Sequence, residues 1–350
     1  MPHLLTTSLL ILGAALAGFA SRLIAMPLPF LLGPLLATAL VATLLPHRLP
    51  QGYRFPPRLR RTFIAVIGLM IGAQVTPALF DNPGRLGISF LALIGFVASA
   101  LAYNYLIFRR FGGYDRATAF YAGTPGGLYE SIALGEAAGA DMPRLMLQQF
   151  LRVILVVTLL PVGLSLYLGA PVGSSAGVSL AQGPVPWQAL PWLAAAGAFG
   201  LWLGERLRLP AGQIIGPLAV AAALSLSGLG HLDVPQWLVN LAQIVIGVAL
   251  GLRFTGLSRA LILRGMILAC ASVAGMLALA AGMALAMKPI LGEGFDVLLI
   301  SFAPGGVTEM ALVALSLQAN PAFVTLHHIL RILITVIGMI ATAPLIRRAL

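Results

Sequence analysis

The sequence predicts an all-α polytopic membrane protein built from two repeats. Each repeat has about five spanning helices and one segment broken at a Pro-Gly-Gly turn. Three observations carry this. Hydrophobic residues make up 59% of the 350 positions and charged residues only 9%, with a mean hydropathy of +0.99, whereas a soluble domain is about 25% charged. The apolar residues fall into runs near the ~20 residues that a membrane helix needs. Finally, PGGLYES at 125–131 is echoed by PGGVTEM at 304–310, an offset of 179 (304 − 125).

Taken in order, the first half reads as apolar runs near 4–24, 28–45, 60–79, 86–108, 114–140 and 143–169. The second reads as runs near 187–204, 210–229, 236–252, 260–287, 294–319 and 321–346. Residues 4–20 lack the basic leader of a signal peptide and match 187–204 in position, so they count as a span. The runs 93–107 and 262–287 carry almost no charge and read as lipid-facing scaffold, with Asn104 and Tyr105 at the interface. The fifth run of each half is divided by its Pro-Gly-Gly turn into two short arms. The domain reading is a first repeat at 1–170, an uncharged Pro/Gly/Ser-rich linker at 171–186 and a second repeat at 187–350.

Further matches extend the repeat. VIGLMIGAQVT at 66–76 aligns with VIGVALGLRFT at 245–255 at the same offset, and PLPFLLGPL at 27–35 matches PAGQIIGPL at 210–218. Gly68/Gly72 and Gly247/Gly251 have GxxxG spacing and read as close helix contacts.

The fifth segments decide topology. If both cross, the halves are parallel and basic residues are spread over both faces. If both are re-entrant hairpins, the second half is inverted. Arg22, Arg85 and Lys288 then lie outside, while the arginines at 48–61, 109–116, 206–208 and 253–264 lie inside with both termini. The positive-inside rule favours the inverted arrangement. The net charge of +11 is thereby read as topology, with no nucleic-acid partner.

The candidate site comprises Thr124, Pro125, Gly126, Gly127, Glu130, Gln148 and Arg152 in the first half, and Pro304, Gly305, Gly306, Thr308, Glu309, His327 and Arg331 in the second. Arg152 lies nine residues past Pro143 and Arg331 ten past Pro321, about 13–15 Å along a helix and so near mid-membrane. Acids and bases at that depth mark buried function. The second arm of a broken helix presents free N–H groups that favour an anion. The arginines remain charged, with Glu130 and Glu309 as expected partners. Two readings stay open: structural ion pairs that fix the hairpins, or a site holding an anionic substrate while glutamate takes protons. Gln148 and His327 share the arginine face. His327 could titrate near neutrality, and His328 reads as a packing histidine.

At the paired Pro-Gly-Gly segments the chain resembles the AbrB family of bacterial integral membrane proteins, over about residues 5–348. These carry an internal duplication, are labelled both as ammonia monooxygenase and as regulator of gene expression, and differ from the small soluble DNA-binding protein that shares the name. The resemblance implies an inner-membrane protein and leaves activity open. The expected function is secondary transport of a small anionic metabolite coupled to H⁺ or Na⁺; the alternative is a membrane-embedded regulator, acting indirectly through a metabolite. An enzyme is not expected: one cysteine, Cys270, and five scattered histidines make no metal set, and neither a metal nor a cofactor is predicted. The expected partners are the lipid bilayer, the small anion and a further copy of the chain in a homo-oligomer.

Overall fold

The computed structural model describes residues 2–77, 82–169, 187–209, 211–228, 232–256, 259–317 and 319–348. The linker assigned to 171–186 lies outside them, as does His231. Among the described residues there are fourteen α-helices and no strand. The first half holds α1 (Pro2–Leu23), α2 (Pro29–Leu44), α3 (Pro57–Gly72), α4 (Pro83–Arg110), α5 (Arg116–Gly123), α6 (Leu128–Ala137) and α7 (Met142–Leu168). The second holds α8 (Ala189–Arg206), α9 (Gly212–Ser227), α10 (Gln236–Gly251), α11 (Arg259–Leu291), α12 (Phe295–Phe302), α13 (Val307–Ser316) and α14 (Pro321–Arg348).

Local chemistry sets the boundaries. Prolines open α2, α3 and α4, where the missing N–H has no intrahelical partner to lose. Asp115 caps α5 by accepting from Thr118 N at 2.8 Å. Asn320 caps α14, accepting from Ala322 N and Phe323 N at 3.1 Å each. Six of the described helices (α1, α4, α7, α10, α11 and α14) are long and apolar enough to cross a bilayer. The chain is therefore an all-α, multi-pass membrane protein. The fifth run of each half is divided as the turn requires, into α5 and α6 and into α12 and α13.

The chain forms two units, each drawing on both sequence halves. One comprises Met1–Asp81, Thr158–Gly256 and Thr308–Thr325; the other comprises Asn82–Val157, Leu257–Val307 and Leu326–Leu350.

The first unit is organised by reciprocal crossings of α3 on α9 and α10 on α2. Both rest on the GxxxG glycines. A Cβ at Gly68 would lie 2.5 Å from Ile214 O, and one at Gly72 would strike Leu218 O. One at Gly247 would lie 2.6 Å from Leu31 O, and one at Gly251 2.6 Å from Leu35 O. Backbones meet at this range only where no side chain intervenes, and in lipid such close packing replaces the hydrophobic drive. In both crossings residue numbers rise together, 68 and 72 against 214 and 218, and 247 and 251 against 31 and 35. Each pair therefore runs parallel.

In the second unit α4 packs on α11 with the opposite sense. Arg85 lies by Leu291, with Nη1 3.4 Å from its carbonyl oxygen, and Tyr103 donates to Ala271 O at 2.9 Å. Ser272 Oγ donates to Asn104 Oδ1 at 2.8 Å. Numbers fall on α11 as they rise on α4, so this pair is antiparallel. Asn104 is wholly buried in this seam, which corrects the interface reading of the sequence. The run extends to Arg110 as helix, so Asn104 sits almost two turns inside it, facing α11 and the end of α5.

Candidate functional site

Proline and a glycine pair break the fifth run, and the backbone consequences build the site. Gly127 adopts φ 59°, a left-handed conformation that glycine enters without a Cβ penalty. It reverses the chain, so that α5 and α6 form a hairpin: beyond α6, Asp141 N donates to Thr118 Oγ1 in the first turn of α5 at 2.7 Å. Both ends of the broken segment therefore meet at one mouth.

A helix that stops at mid-depth leaves carbonyls without donors. Arg152 of α7 donates through Nη1 to Thr124 O, just past the end of α5. Arg331 of α14 donates through Nη1 to Ala303 O and through Nη2 to Gly305 O, just past the end of α12. The two guanidiniums are buried, at 6% and 1% exposure, and each feels the other's charge. Both guanidiniums thus donate to backbone carbonyls at the broken-helix ends, where the sequence reading looked to glutamates for partners. The physical reason is proximity: the orphaned carbonyls and the negative end of the short helix dipole lie where the guanidinium arrives.

The carboxylates instead occupy the first turns of the second arms, Glu130 in α6 and Glu309 in α13. Glu130 folds back so that Oε2 is 3.4 Å from the position a Cβ on Gly127 would take. A negative group at a helix N-terminus is favoured by the dipole, and here it is the protein's own. Thr308 and Glu309 belong to the first unit, both buried, and Arg253 and Arg60 of that unit attract Glu309.

Hydrogen bonds around the tips repeat at the sequence offset. Gln149 Nε2 donates to Tyr121 O at 2.8 Å, and His328 Nε2 lies 2.9 Å from Ile300 O. The pairs 149/328 and 121/300 both differ by 179, as do Thr124 and Ala303 beneath the arginines. Gln149 also donates to Thr124 Oγ1 at 2.9 Å, and Thr124 is paired with Ser131 Oγ at 2.6 Å. Gln149 and Ser131 were absent from the sequence-derived set. Gln148 and His327, which were in it, turn elsewhere: Gln148 Nε2 donates to Tyr114 OH in the α4–α5 connection and to Gly265 O of α11 at 3.0 and 3.2 Å, and His327 Nε2 shares a hydrogen bond with Ser89 Oγ of α4.

Asn104 Nδ2 donates to Gly123 O at 2.9 Å, holding the end of α5 from the α4 side. Pro125, Gly126 and Gly127 are buried. A Cβ on Gly126 would lie 3.0 Å from Thr335 Oγ1 and 3.5 Å from Arg331 O, so the first tip rests against the helix that carries the second arginine. Pro304 and Gly305 are buried and Gly306 is partly so. Both broken-helix tips thus meet α14, the first beside Arg331 O and Thr335 Oγ1 and the second through the Arg331 guanidinium. A family model described as transition state regulatory protein AbrB matches residues 30–349.

The chain belongs to the AbrB family. It is similar to the "Uncharacterized protein YhjN" of Bacillus subtilis (strain 168), with 26% identity across 92% of this chain and 88% of that one. It is also similar to the "Putative regulator AbrB" of Escherichia coli (strain K12), with 25% identity across 81% of this chain and 80% of that one. This membership agrees with the resemblance carried by the duplicated motif.

Proposed function

We propose that this AbrB-family chain is a secondary transporter of a small anionic metabolite, coupled to H⁺ or Na⁺, in the bacterial inner membrane. The observation that carries the reading is the pair of buried arginines, each seated on the broken helix of its own half and each within the field of the other. Two buried guanidinium charges within each other's field are unfavourable at mid-membrane. An anion entering between them relieves that repulsion, and carriers made of inverted repeats bind substrate where broken helices meet.

Helix direction supports the inverted arrangement. Helices packed in parallel across a bilayer start from the same face, and antiparallel ones from opposite faces. With six crossings per half, α3 would oppose α9, α2 would oppose α10, and α4 would follow α11. With five crossings and a hairpin, α3 follows α9, α2 follows α10, and α4 opposes α11. All three pairings agree with the second count. Both termini are then cytoplasmic, and the hairpins enter from opposite faces.

The test is flux in proteoliposomes carrying an imposed H⁺ or Na⁺ gradient, offered a panel of small mono- and dicarboxylates. Gradient-driven movement of at least one anion is expected, with loss in Arg152→Lys and Arg331→Lys although both stay monodisperse. Wild-type flux in both variants, or no movement of any anion by a well-folded protein, overturns the reading.

A second reading, membrane-embedded regulation, is favoured by the description of the family and by the name of the Escherichia coli relative. The transport reading contains it as an indirect effect. A transport-dead variant that reproduces a deletion phenotype places regulation downstream of flux.

A further inference from the structure

Apart from the arginine pair, the second unit contains an amphiphilic cleft of about 630 Å³. Phe111 and Tyr114 line it from the α4–α5 connection, Arg144 from the start of α7, and Arg264, Ile267 and Leu268 from the first turns of α11. Its two cations stand beside a surface that is otherwise apolar. Phe111 and Ile267 are exposed at 73% and 77%, apolar surface that a hydrocarbon chain can cover.

The polar wall is organised. Arg144 is paired with Asp141 at 3.2 Å and stacks its guanidinium 5.5 Å from the centre of the Tyr114 ring. Asp141 offsets one of the two cleft cations, and Arg109, which donates to Tyr114 O at 2.7 Å, adds another at the rim. The Tyr114 hydroxyl accepts from Gln148 Nε2, and among the described residues its own proton is donated to nothing. Gln148 is 2% exposed and its Oε1 has no partner among the described residues. Burial pushes the Tyr114 phenol above its ordinary value of 10.0, so it stays a neutral donor at physiological pH. Net positive charge, a spare hydroxyl donor and adjoining apolar side chains fit one chemistry: a phosphate ester that carries hydrocarbon.

We propose that this cleft holds an anionic phospholipid of the adjoining leaflet, its phosphate between Arg144 and Arg264 and an acyl chain along Phe111, Ile267 and Leu268. The lipid would then bear on the hairpin mouth, since Asp141 and Tyr114 flank it, and through Gln148 on the helix that carries Arg152. The assignment does not depend on transport.

The experiment reconstitutes the full chain in nanodiscs of phosphatidylcholine with and without phosphatidylglycerol. Lipid retained after transfer to detergent is counted by native mass spectrometry. Wild type is expected to keep phosphatidylglycerol in preference to phosphatidylcholine. A basic residue near an anionic headgroup contributes about fivefold in affinity, so Arg144→Gln/Arg264→Gln should bind about 25-fold more weakly. Arg264→Gln alone, at an exposed side chain, should lose about fivefold and keep the fold, Arg264→Lys should recover most of that, and Arg22→Gln should change nothing. Equal retention of both lipids overturns the proposal, as does undiminished retention in Arg264→Gln. Full displacement by glycerol 3-phosphate, which has the phosphate and no chain, also overturns it, in favour of a soluble-anion site.

Discussion

Replacing Arg331 tests whether the guanidinium holds the second broken segment in place. The side chain is 1% exposed and donates to two backbone carbonyls, Ala303 O and Gly305 O. A hydrogen bond from a charged group contributes about 1.5–3 kcal/mol, so losing both costs about 3–6 kcal/mol. Removing a buried cation, and with it the repulsion from Arg152, offsets part of that. A net loss of about 2–4 kcal/mol is expected for Arg331→Gln, whose amide falls short of the carbonyls. Arg331→Lys keeps the charge and one donor direction, so it should lose about half as much. At about 2 °C per kcal/mol for a chain of this size, the midpoints should fall by about 4–8 °C and 2–4 °C. The assay is thermal unfolding in detergent, followed by far-UV circular dichroism and by size-exclusion of the heated protein. A Gln variant within about 1 °C of wild type, or a Lys variant less stable than Gln, refutes the anchoring argument. The double variant Arg152→Gln/Arg331→Gln should cost more than the sum of the singles, because each single already relieves the whole mutual repulsion and the double relieves it only once.

Two other substitutions probe the frame around the tips. Asn104→Leu leaves Gly123 O and the Ser272 hydroxyl without their partner, which should cost about 1–3 kcal/mol; a midpoint equal to wild type would make Asn104 a spectator. Gly251→Ala places a Cβ 2.6 Å from Leu35 O and 2.8 Å from Thr38 Cβ, and overpacking of this kind costs about 1–3 kcal/mol. The same change at exposed Gly13, where a Cβ meets nothing within 4 Å, should leave the midpoint where it was.

Much of this was legible in the sequence because proline, glycine and intramembrane arginine admit few placements. The turns at 125–127 and 304–306 broke the helices where expected, and the GxxxG pairs became the crossings of α3 and α10. The misses have physical causes. Gln148 and Gln149 lie four and three residues before Arg152, so both share its helix face, and spacing alone could not show that Gln149 reaches the hairpin. Charge alone left out the last carbonyls of a helix ended inside a membrane, which must find donors and find the arginines. That signal was present in the Pro-Gly-Gly breaks. Asn104 was misplaced because its distance from a run's end says little about which face it occupies.

The inverted arrangement requires the two broken segments to enter the membrane as hairpins from opposite faces. In a Cys270→Ser background, single cysteines at Arg110 and Pro143 flank the first mouth, and cysteines at Glu293 and Ala319 flank the second broken segment. Labelling with an impermeant maleimide in intact and lysed cells should place the first two at the cytoplasm and the second two outside. Finding Arg110 and Pro143 on different faces would mean that the broken segment crosses, and the inverted arrangement and the carrier built on it would both fail.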